Sequence, residues 1–273
     1  MALLFLIVAI AVLLNFEFSG IGQKVNDVHS RLNETRVNRI VTPRSVEEVQ
    51  RIVQQARNEN RAISIAGGRH AMGGQQFGAD TILLDTTGLN RVLAFDEKNG
   101  FLTVQAGIRW PELLEYLEQA QKGKWPQWGI RQKQTGADLL SIGGALSANA
   151  HGRGLRFKPM ISDVESFTLV DAQGKVLICS RNENWELFRL AIGGYGLFGV
   201  ITDVKLRLMH RTKVKRIVQV INIANLVGAV EKRIADGYLY GDFQFDIDPQ
   251  SEYFLTRGVF STYIRVEIGR AHV

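Results

Sequence analysis

The chain has 273 residues, of which 45% are hydrophobic and 22% are charged, which is ordinary for a globular protein with one large or two modest domains. Its single cysteine, Cys179, excludes an internal disulfide. The net charge of +6 is diffuse apart from a basic run at 210–216, and no aromatic residues interleave with that run. We interpret the run as a solvated connector between domains and expect no nucleic-acid partner.

The N-terminal segment 1–18 is predicted to be a membrane or signal segment. Residues 1–16 are apolar except for Asn15, and no charged side chain precedes Glu17. As a helix this stretch would span about 24 Å, slightly short of a hydrocarbon core of about 30 Å. It lacks a small-x-small cleavage site, which favours a retained anchor over a cleaved signal. We therefore expect a membrane-associated or exported protein, or a cytoplasmic one if the segment is not an anchor.

The next elements follow in clear order. Ser45 and Glu48 form a capping box ahead of apolar residues at helical spacing, which predicts a helix from residue 46. Strands are predicted at 61–66, 81–85 and 102–106, and a helix is predicted to begin at Pro111. This alternation with short connections indicates an α/β or α+β layer.

The second half continues the mixed pattern. A short helix is predicted within 142–150, a hairpin at 164–179, a helical turn at 185–190 and a half-buried strand at 200–208. A new strand and helix after residue 217 indicate the start of a second domain, over 212–266. The last residues, 267–273, match a common sequencing adapter read in frame, so we expect a non-native tail and an incomplete second domain.

A glycine-rich loop at 62–75 is the most informative motif. It reads A-I-S-I-A-G-G-R-H-A-M-G-G-Q, so that an apolar strand leads into a loop with four glycines and one histidine. Glycine adopts backbone conformations closed to other residues and lets amide groups approach phosphates. The spacing is not G-x-G-x-x-G, and no Lys-Ser or Lys-Thr follows, which excludes a Walker loop. The loop is predicted to hold an anion.

Two further glycine-rich segments follow. One is T-G-A-D-L-L-S-I-G-G-A-L-S-A-N-A-H-G-R-G at 135–154, and the other is G-G-Y-G-L-F-G-V-I-T at 193–202. The second leads directly into a strand and would offer the backbone of that strand to a ligand. A turn that needs glycine for its conformation alone explains it equally well.

These three segments, in this order over residues 38–211, resemble the vanillyl-alcohol oxidase and p-cresol methylhydroxylase flavoproteins, the FAD-binding PCMH-type family. The form N-A-H-G-R-G is similar to the sugar-lactone and alditol oxidases of that family. The resemblance implies an α+β fold with two FAD-binding subdomains, followed here by the truncated start of a substrate domain. It implies FAD as cofactor, held by Ala66, Gly67, Gly68, Arg69, His70, Ala71, Met72, Gly73, Gly74, Gln75, Thr135, Gly136, Ala137, Leu140, Gly143, Gly144, Ser147, Asn149, His151, Gly152, Gly199, Val200 and Ile201.

The resemblance also implies roles for two side chains. In many members the loop histidine is bonded to the 8α-methyl carbon of the flavin, and His70 occupies that position; the alternative is a hydrogen bond to phosphate or backbone. Arg69 either neutralises a phosphate or faces water, and His151 either faces the flavin or holds a loop. No metal site is expected, because the two histidines lack nearby cysteine or carboxylate partners.

The expected activity is FAD-dependent oxidation of a CH–OH donor, a sugar, sugar lactone or related alcohol, by hydride transfer to the flavin, with oxygen or a membrane acceptor taking the electrons. Two alternatives remain open: a reductase of the same fold that uses NAD(P)H, and a non-catalytic, membrane-anchored flavin-binding module. The residues do not identify a catalytic base.

Overall fold

The computed structural model describes residues 22–134 and 136–266. The predicted membrane or signal segment 1–18, the predicted tail 267–273 and Thr135 lie outside the described residues. Within the two described ranges, no helix combines the length and the apolar composition needed to cross a membrane.

The first part of the fold is a parallel three-stranded sheet covered by one helix. The strands lie in the order β3-β5-β4, with a small antiparallel pair, β1 and β2, ahead of them. Val49 and Val53 of the helix pack on Leu84 of the central strand. The elements are β1 Gln23–Val25, β2 Thr35–Val37, β3 Arg39–Val41, α1 Val46–Asn58, β4 Ile63–Ala66 and β5 Ile82–Asp85.

The capping box predicted for α1 is present in a slightly shifted form. The Oγ atom of Ser45 accepts a hydrogen bond from the amide of Glu48 at 3.2 Å. The Glu48 carboxylate accepts from the amide of Arg44 at 2.7 Å, one residue before the cap. The first bond satisfies an amide donor of the first helical turn, and the second holds the residue before the cap against that turn.

The second part is an antiparallel five-stranded sheet in the order β10-β9-β11-β7-β6. The main hydrophobic core lies between this sheet and three helices, with Leu102, Leu113, Leu146 and Phe188 fully or almost fully buried in it. The elements are β6 Val92–Asp96, β7 Phe101–Gln105, α2 Trp110–Ala120, β8 Trp128–Gly129, α3 Ile142–Ser147, β9 Val164–Val170, β10 Val176–Ser180, α4 Trp185–Ala191 and β11 Val200–Arg207.

The last part is a separate antiparallel sheet in the order β13-β15-β14, with one helix whose side chains are not buried. The short strand β12, Met209–His210, precedes this sheet in sequence and pairs with β8. The basic run is therefore not a plain connector, because its second half enters β13, where Arg216 donates to Ser261 at 2.8 Å. The elements are β13 Val214–Asn222, α5 Leu226–Ala235, β14 Tyr240–Phe245 and β15 Arg257–Arg265.

Helices combined with separate parallel and antiparallel sheets confirm the α+β prediction. The predicted hairpin is β9 with β10, and the predicted half-buried strand is β11, whose Val204 and Leu206 are buried while Lys205 between them is not. The predicted boundaries at 211 and 212 separate the five-stranded sheet from the last sheet in sequence, and their status as domain boundaries stays a prediction.

Candidate functional site

A groove separates the parallel sheet from the helix α3 side of the antiparallel sheet. The glycine-rich loop after β4, the start of α3 and the turn before β11 converge on it. Its lining is formed by Ile65, Ala66, Gly67, Gly68, Arg69, His70, Ala71, Gln75, Gln76, Thr86, Ala106, Gln134, Leu140, Ser141, Gly143, Gly144, Ser147, Ala148, Tyr195, Gly196, Gly199 and Ile201.

The first two glycines of the loop are required by packing. A Cβ atom on Gly67 would lie 2.1 Å from Oγ of Ser141, and one on Gly68 would lie 2.4 Å from the carbonyl oxygen of Leu139. The loop therefore passes in direct contact with the segment that leads into α3. Any side chain larger than hydrogen at these positions would push the two walls of the groove apart.

Only one of the four loop glycines adopts the left-handed conformation. Gly74 has φ of +73°, whereas Gly67, Gly68 and Gly73 have no positive φ. Conformational freedom thus explains Gly74, and close approach explains Gly67 and Gly68.

Arg69 lines the groove and forms an ion pair within the protein. Its guanidinium donates to Oδ2 of Asp85 at 2.9 Å, and the two side chains are 25% and 13% exposed. Arg69 itself has φ of +55°, an uncommon conformation for a non-glycine residue. The ion pair joins the loop to the end of β5, so the charge of Arg69 is already balanced within the protein.

The amides at the start of α3 are already used. The N–H of Gly143 donates to the Ala106 carbonyl at 2.7 Å, and the N–H of Gly144 donates to Oγ of Ser141 at 3.2 Å. A Cβ on Gly143 would lie 3.0 Å from Ala106. These glycines therefore bring α3 close to the strand behind it, and in this structure they do not offer free donors to a ligand.

The turn before β11 needs glycine for its conformation. Gly193, Gly196 and Gly199 have φ of +81°, +82° and +138°. The reading in which glycine serves the turn itself therefore has direct support, while Gly196 and Gly199 also line the groove. The backbones of Val200 and Ile201 are paired with β9.

The loop amides after β4 are free donors in the groove. Among the described residues, the N–H groups of residues 67–71 have no hydrogen-bond acceptor. Gln76, which is 8% exposed, presents an Oε1 atom without a donor, although its Nε2 donates to the Ala71 carbonyl at 3.0 Å. The amides at 67–71 belong to half-buried residues, whereas an unpaired atom as buried as Oε1 of Gln76 is costly unless a ligand or water pairs with it.

His70 is held on two sides. Its Nδ1 lies 2.6 Å from Nε2 of His29, and its ring also makes a hydrogen bond to the backbone of Leu139. Burial, followed by the charge of His29, lowers the pKa of His70, and the charge of Arg109 adds to this, while the bond to Leu139 opposes it. The imidazole is therefore favoured in its neutral form.

The structure brings a majority of the sequence-predicted site residues into the groove lining and leaves the others outside it. Thr135 is not described, and contact with a flavin stays a prediction for every position. His151 is exposed, and its Nδ1 contacts the carbonyl of Gly152. The residues outside the lining are Met72, Gly73, Gly74, Gly136, Ala137, Asn149, His151, Gly152 and Val200.

Sequence reasoning missed several lining residues. Gln76 directly follows the predicted set, and the paired glutamines after Gly74 were the available signal. Ser141 was visible as the residue before a small-residue helix, whereas no local pattern indicates Thr86 or Ala106. The missed residues are Ile65, Gln76, Thr86, Ala106, Gln134, Ser141, Ala148, Tyr195 and Gly196.

Comparison with known proteins identifies the family of this fold. Residues 37–180 match a family model described as FAD binding domain, and this range contains the glycine-rich loop and α3. The chain belongs to the FAD-binding PCMH-type flavoproteins. FAD is accordingly the cofactor of this domain.

The relatives include lactone dehydrogenases and oxidases, and also a cytokinin dehydrogenase of Arabidopsis thaliana, 30% identical over 64% of this chain and 34% of the relative. The chain is 29% identical over 222 residues to an L-gulono-1,4-lactone dehydrogenase of Mycobacterium tuberculosis, covering 80% of this chain and 48% of the relative. It is 30% identical over 166 residues to the L-gulonolactone oxidase of Bos taurus, covering 60% of this chain and 36% of the relative. The chain thus spans about half the length, or less, of these relatives.

A solved structure shares the fold. Alkyldihydroxyacetonephosphate synthase superposes with a TM-score of 0.69 at 19% identity, covering 83% of this chain and 46% of the synthase.

The groove of this flavoprotein fits an FAD. The unpaired amides at 67–71 are donors suited to an anionic group such as a pyrophosphate. The buried Oε1 of Gln76 is an acceptor that lacks a donor, as a ring N–H or a ribose hydroxyl would supply. Both features lie in the same groove, so its lining offers unpaired donors and an unpaired acceptor. A dinucleotide carries partners for both.

Proposed function

We propose that this protein is an FAD-dependent oxidoreductase that oxidises a CH–OH donor, a sugar lactone or a related alcohol. The observation that carries the proposal is the row of unpaired amides at 67–71 beside the orphan acceptor of Gln76, in a fold whose relatives include lactone dehydrogenases and oxidases. When bound, FAD supplies the redox chemistry by accepting a hydride from the carbon that bears the hydroxyl.

The residues of the chain bind and orient the cofactor. The amides at 67–71 would hold the pyrophosphate, because preorganised backbone donors stabilise an anion without a counter-charge. Gln76 would accept a hydrogen bond from the cofactor, and the Arg69–Asp85 ion pair would keep the loop in place. The contact of Gly67 and Gly68 with the segment before α3 would set the width of the groove.

We further propose that His70 is bonded covalently to the 8α carbon of the flavin. His70 lines the groove, and its lowered pKa favours the neutral imidazole, which keeps the nitrogen lone pair that the bond requires. A covalent tether would prevent loss of the cofactor, and an electron-withdrawing histidyl substituent would make the flavin a stronger oxidant.

The electron acceptor and the location are proposed from the sequence. Dioxygen or a membrane acceptor would take the electrons, and the apolar segment 1–18 would bring the protein to a membrane or direct its export. Fractionation of cells that express the untagged chain tests the second point: recovery in the soluble fraction with an intact N-terminus contradicts an anchor.

Anaerobic reduction tests the activity. The full chain is loaded with FAD and mixed with L-gulono-1,4-lactone, with D-arabinono-1,4-lactone or with NADPH, and flavin absorbance is followed. The proposal expects bleaching by a lactone and none by NADPH. Bleaching by NADPH alone identifies a reductase instead, and the absence of bleaching by any donor, with dithionite still effective, indicates a binding module without this activity.

A further inference from the structure

An upstream loop, residues 26–33, docks on the glycine-rich loop. The amide of Val28 donates to the carbonyl of Arg69 at 3.0 Å, and Nδ2 of Asn33 donates to the carbonyl of Met72 at 2.7 Å. This upstream loop precedes the range 37–180 that matches the family model. It therefore adds side chains to the neighbourhood of the groove that the family match does not include.

The upstream loop is held in shape by a buried carboxylate. Asp27 is 2% exposed, and its oxygens accept from the amides of His29 and Ser30 at 3.0 and 2.6 Å. They also accept from the hydroxyl of Ser30 and from Nδ2 of Asn33, each at 2.8 Å. This network fixes the backbone at His29, because several donors converge on one acceptor group.

The fixed backbone places His29 against His70. Nε2 of His29 lies 2.6 Å from Nδ1 of His70, and the ring centroids are 4.6 Å apart at an angle of 61°. One proton fits between these two nitrogens, so the pair is stable with one ring donating and the other accepting. Two protonated rings would repel each other. His29 itself is exposed and does not line the groove.

No other charged group named here makes the direct contact with the His70 imidazole that His29 makes. Burial acts first in lowering the pKa of His70, His29 acts second, and Arg109 also lowers it. The adjacent Arg69 is paired with Asp85, and Lys133 is paired with Asp138 beside Leu139. His29 is thus the neighbouring titratable group in direct hydrogen-bond contact with the imidazole.

We propose that His29 is a positioning residue for His70, which holds the imidazole in one orientation as the bond to the flavin forms. This inference rests on the proposed covalent role of His70. In that step one nitrogen of His70 bonds to the 8α carbon, while one proton leaves the methyl group and one leaves the imidazole, both to water. The electron pair passes through the flavin to dioxygen, which is reduced to hydrogen peroxide.

The test measures acid-stable flavin. Apo forms of the full chain are mixed with FAD in air at several pH values, and FAD that remains with acid-precipitated protein is followed in time. His29→Ala should link FAD about tenfold more slowly, the value of one good hydrogen bond. His29→Gln, which retains a hydrogen-bonding group of similar reach, should stay within about threefold of the original chain. Leu32→Ala, an exposed change in the same loop, is the matched control and should have no effect.

The pH profile separates positioning from a general loss of structure. Without the second imidazole the pKa of His70 should rise, so linkage by His29→Ala and by His29→Gln should require a higher pH than in the original chain. A His29→Ala chain that links FAD at the original rate with the original pH profile overturns the inference.

A second measurement keeps the inference separate from the covalent proposal. If neither the original chain nor His70→Ala retains acid-stable flavin, the covalent role of His70 is wrong. In that case ¹⁵N-histidine NMR of the apo chains still tests the contact, since His29→Ala should raise the pKa of His70 and change its tautomer. Unchanged His70 resonances and an unchanged pKa contradict a positioning role.

Discussion

Gly68 lies where the glycine-rich loop touches the segment before α3, and its substitution should weaken flavin binding. In Gly68→Val the new Cβ would lie 2.4 Å from the carbonyl oxygen of Leu139, a backbone atom that cannot turn aside. The groove would open at the row of free amides. We expect a folded chain with at least tenfold weaker FAD binding, measured by fluorescence titration.

Gly73→Ala is the matched control for that loop. Its Cβ would meet the flexible side chain of Gln75, which can move, and Gly73 has no positive φ. FAD binding should change less than threefold. A yellow, fully loaded Gly68→Val protein would contradict the packing argument.

Gln76 offers a substitution that should leave the stability of the apo chain almost unchanged and weaken FAD binding. Gln76→Leu removes a buried acceptor that has no donor in this structure, together with one bond to Ala71, so the apo stability should change by less than about 1 kcal/mol. The FAD dissociation constant should rise about tenfold, because the donor on the cofactor loses its acceptor.

Chemical denaturation and FAD titration together check this prediction. Gln75→Leu, at the exposed neighbouring position, should weaken binding less. An unchanged dissociation constant for Gln76→Leu would mean that its Oε1 does not face the cofactor.

The residues of the site divide by what local sequence can reveal. A row of glycines around a histidine identified the loop, since these residue types carry a backbone signal. Local sequence could not show why Gly67 and Gly68 must be glycine, because the atoms that a Cβ would contact there belong to residues 139–141. The His29 contact was missed for the same reason: it joins positions 41 residues apart through a turn that a buried aspartate organises.

At the scale of elements, the start of α1 provides a direct stability test. Ser45→Ala removes the acceptor for the amide of Glu48 and should lower the free energy of unfolding by about 1 kcal/mol. Ser45→Asp should restore it, since aspartate caps as well and favours the helix N-terminus. Gln54→Ala, on the exposed face of α1, should stay within about 0.5 kcal/mol.

Urea denaturation of the four chains distinguishes the cap from the rest of α1. If Ser45→Ala and Gln54→Ala lowered the free energy of unfolding equally, the loss at Ser45 would not be due to capping.

Elements with strong periodicity were predictable, and short ones were not. Helix α1 and strand β11 each carry several periods of alternation, so a local pattern suffices. Strands β3, β8 and β12 have two or three residues each and exist because a partner strand supplies their hydrogen bonds. Strands β14 and β15 lie in a sheet with an exposed face, so apolar and polar residues alternate less clearly along their sequences.

At the scale of the whole molecule, the last sheet and helix α5 bury little apolar surface. No side chain of α5 is buried, and Val227 on it is 70% exposed. On β13, Val218 and Val220 are 49% and 56% exposed. The part of the chain that follows the groove-forming sheets therefore has an open apolar face, and in the described residues it does not enclose a compartment over the groove.

This openness predicts the kinetics of the flavin-loaded chain. No aspartate or glutamate is among the residues that line the groove, so the described residues supply no carboxylate base there, and water has access to the cofactor face. Without an enclosed pocket to orient it, a lactone should react by collision. In anaerobic stopped-flow experiments, the rate of flavin reduction by L-gulono-1,4-lactone should rise linearly with lactone concentration up to about 10 mM, above the usual range of KM.

Complete and immediate reduction by dithionite serves as the control for a competent flavin. Half-saturation below about 1 mM would show that the described residues already form a substrate pocket. The open face of β13 and α5 would then not be needed to enclose the substrate.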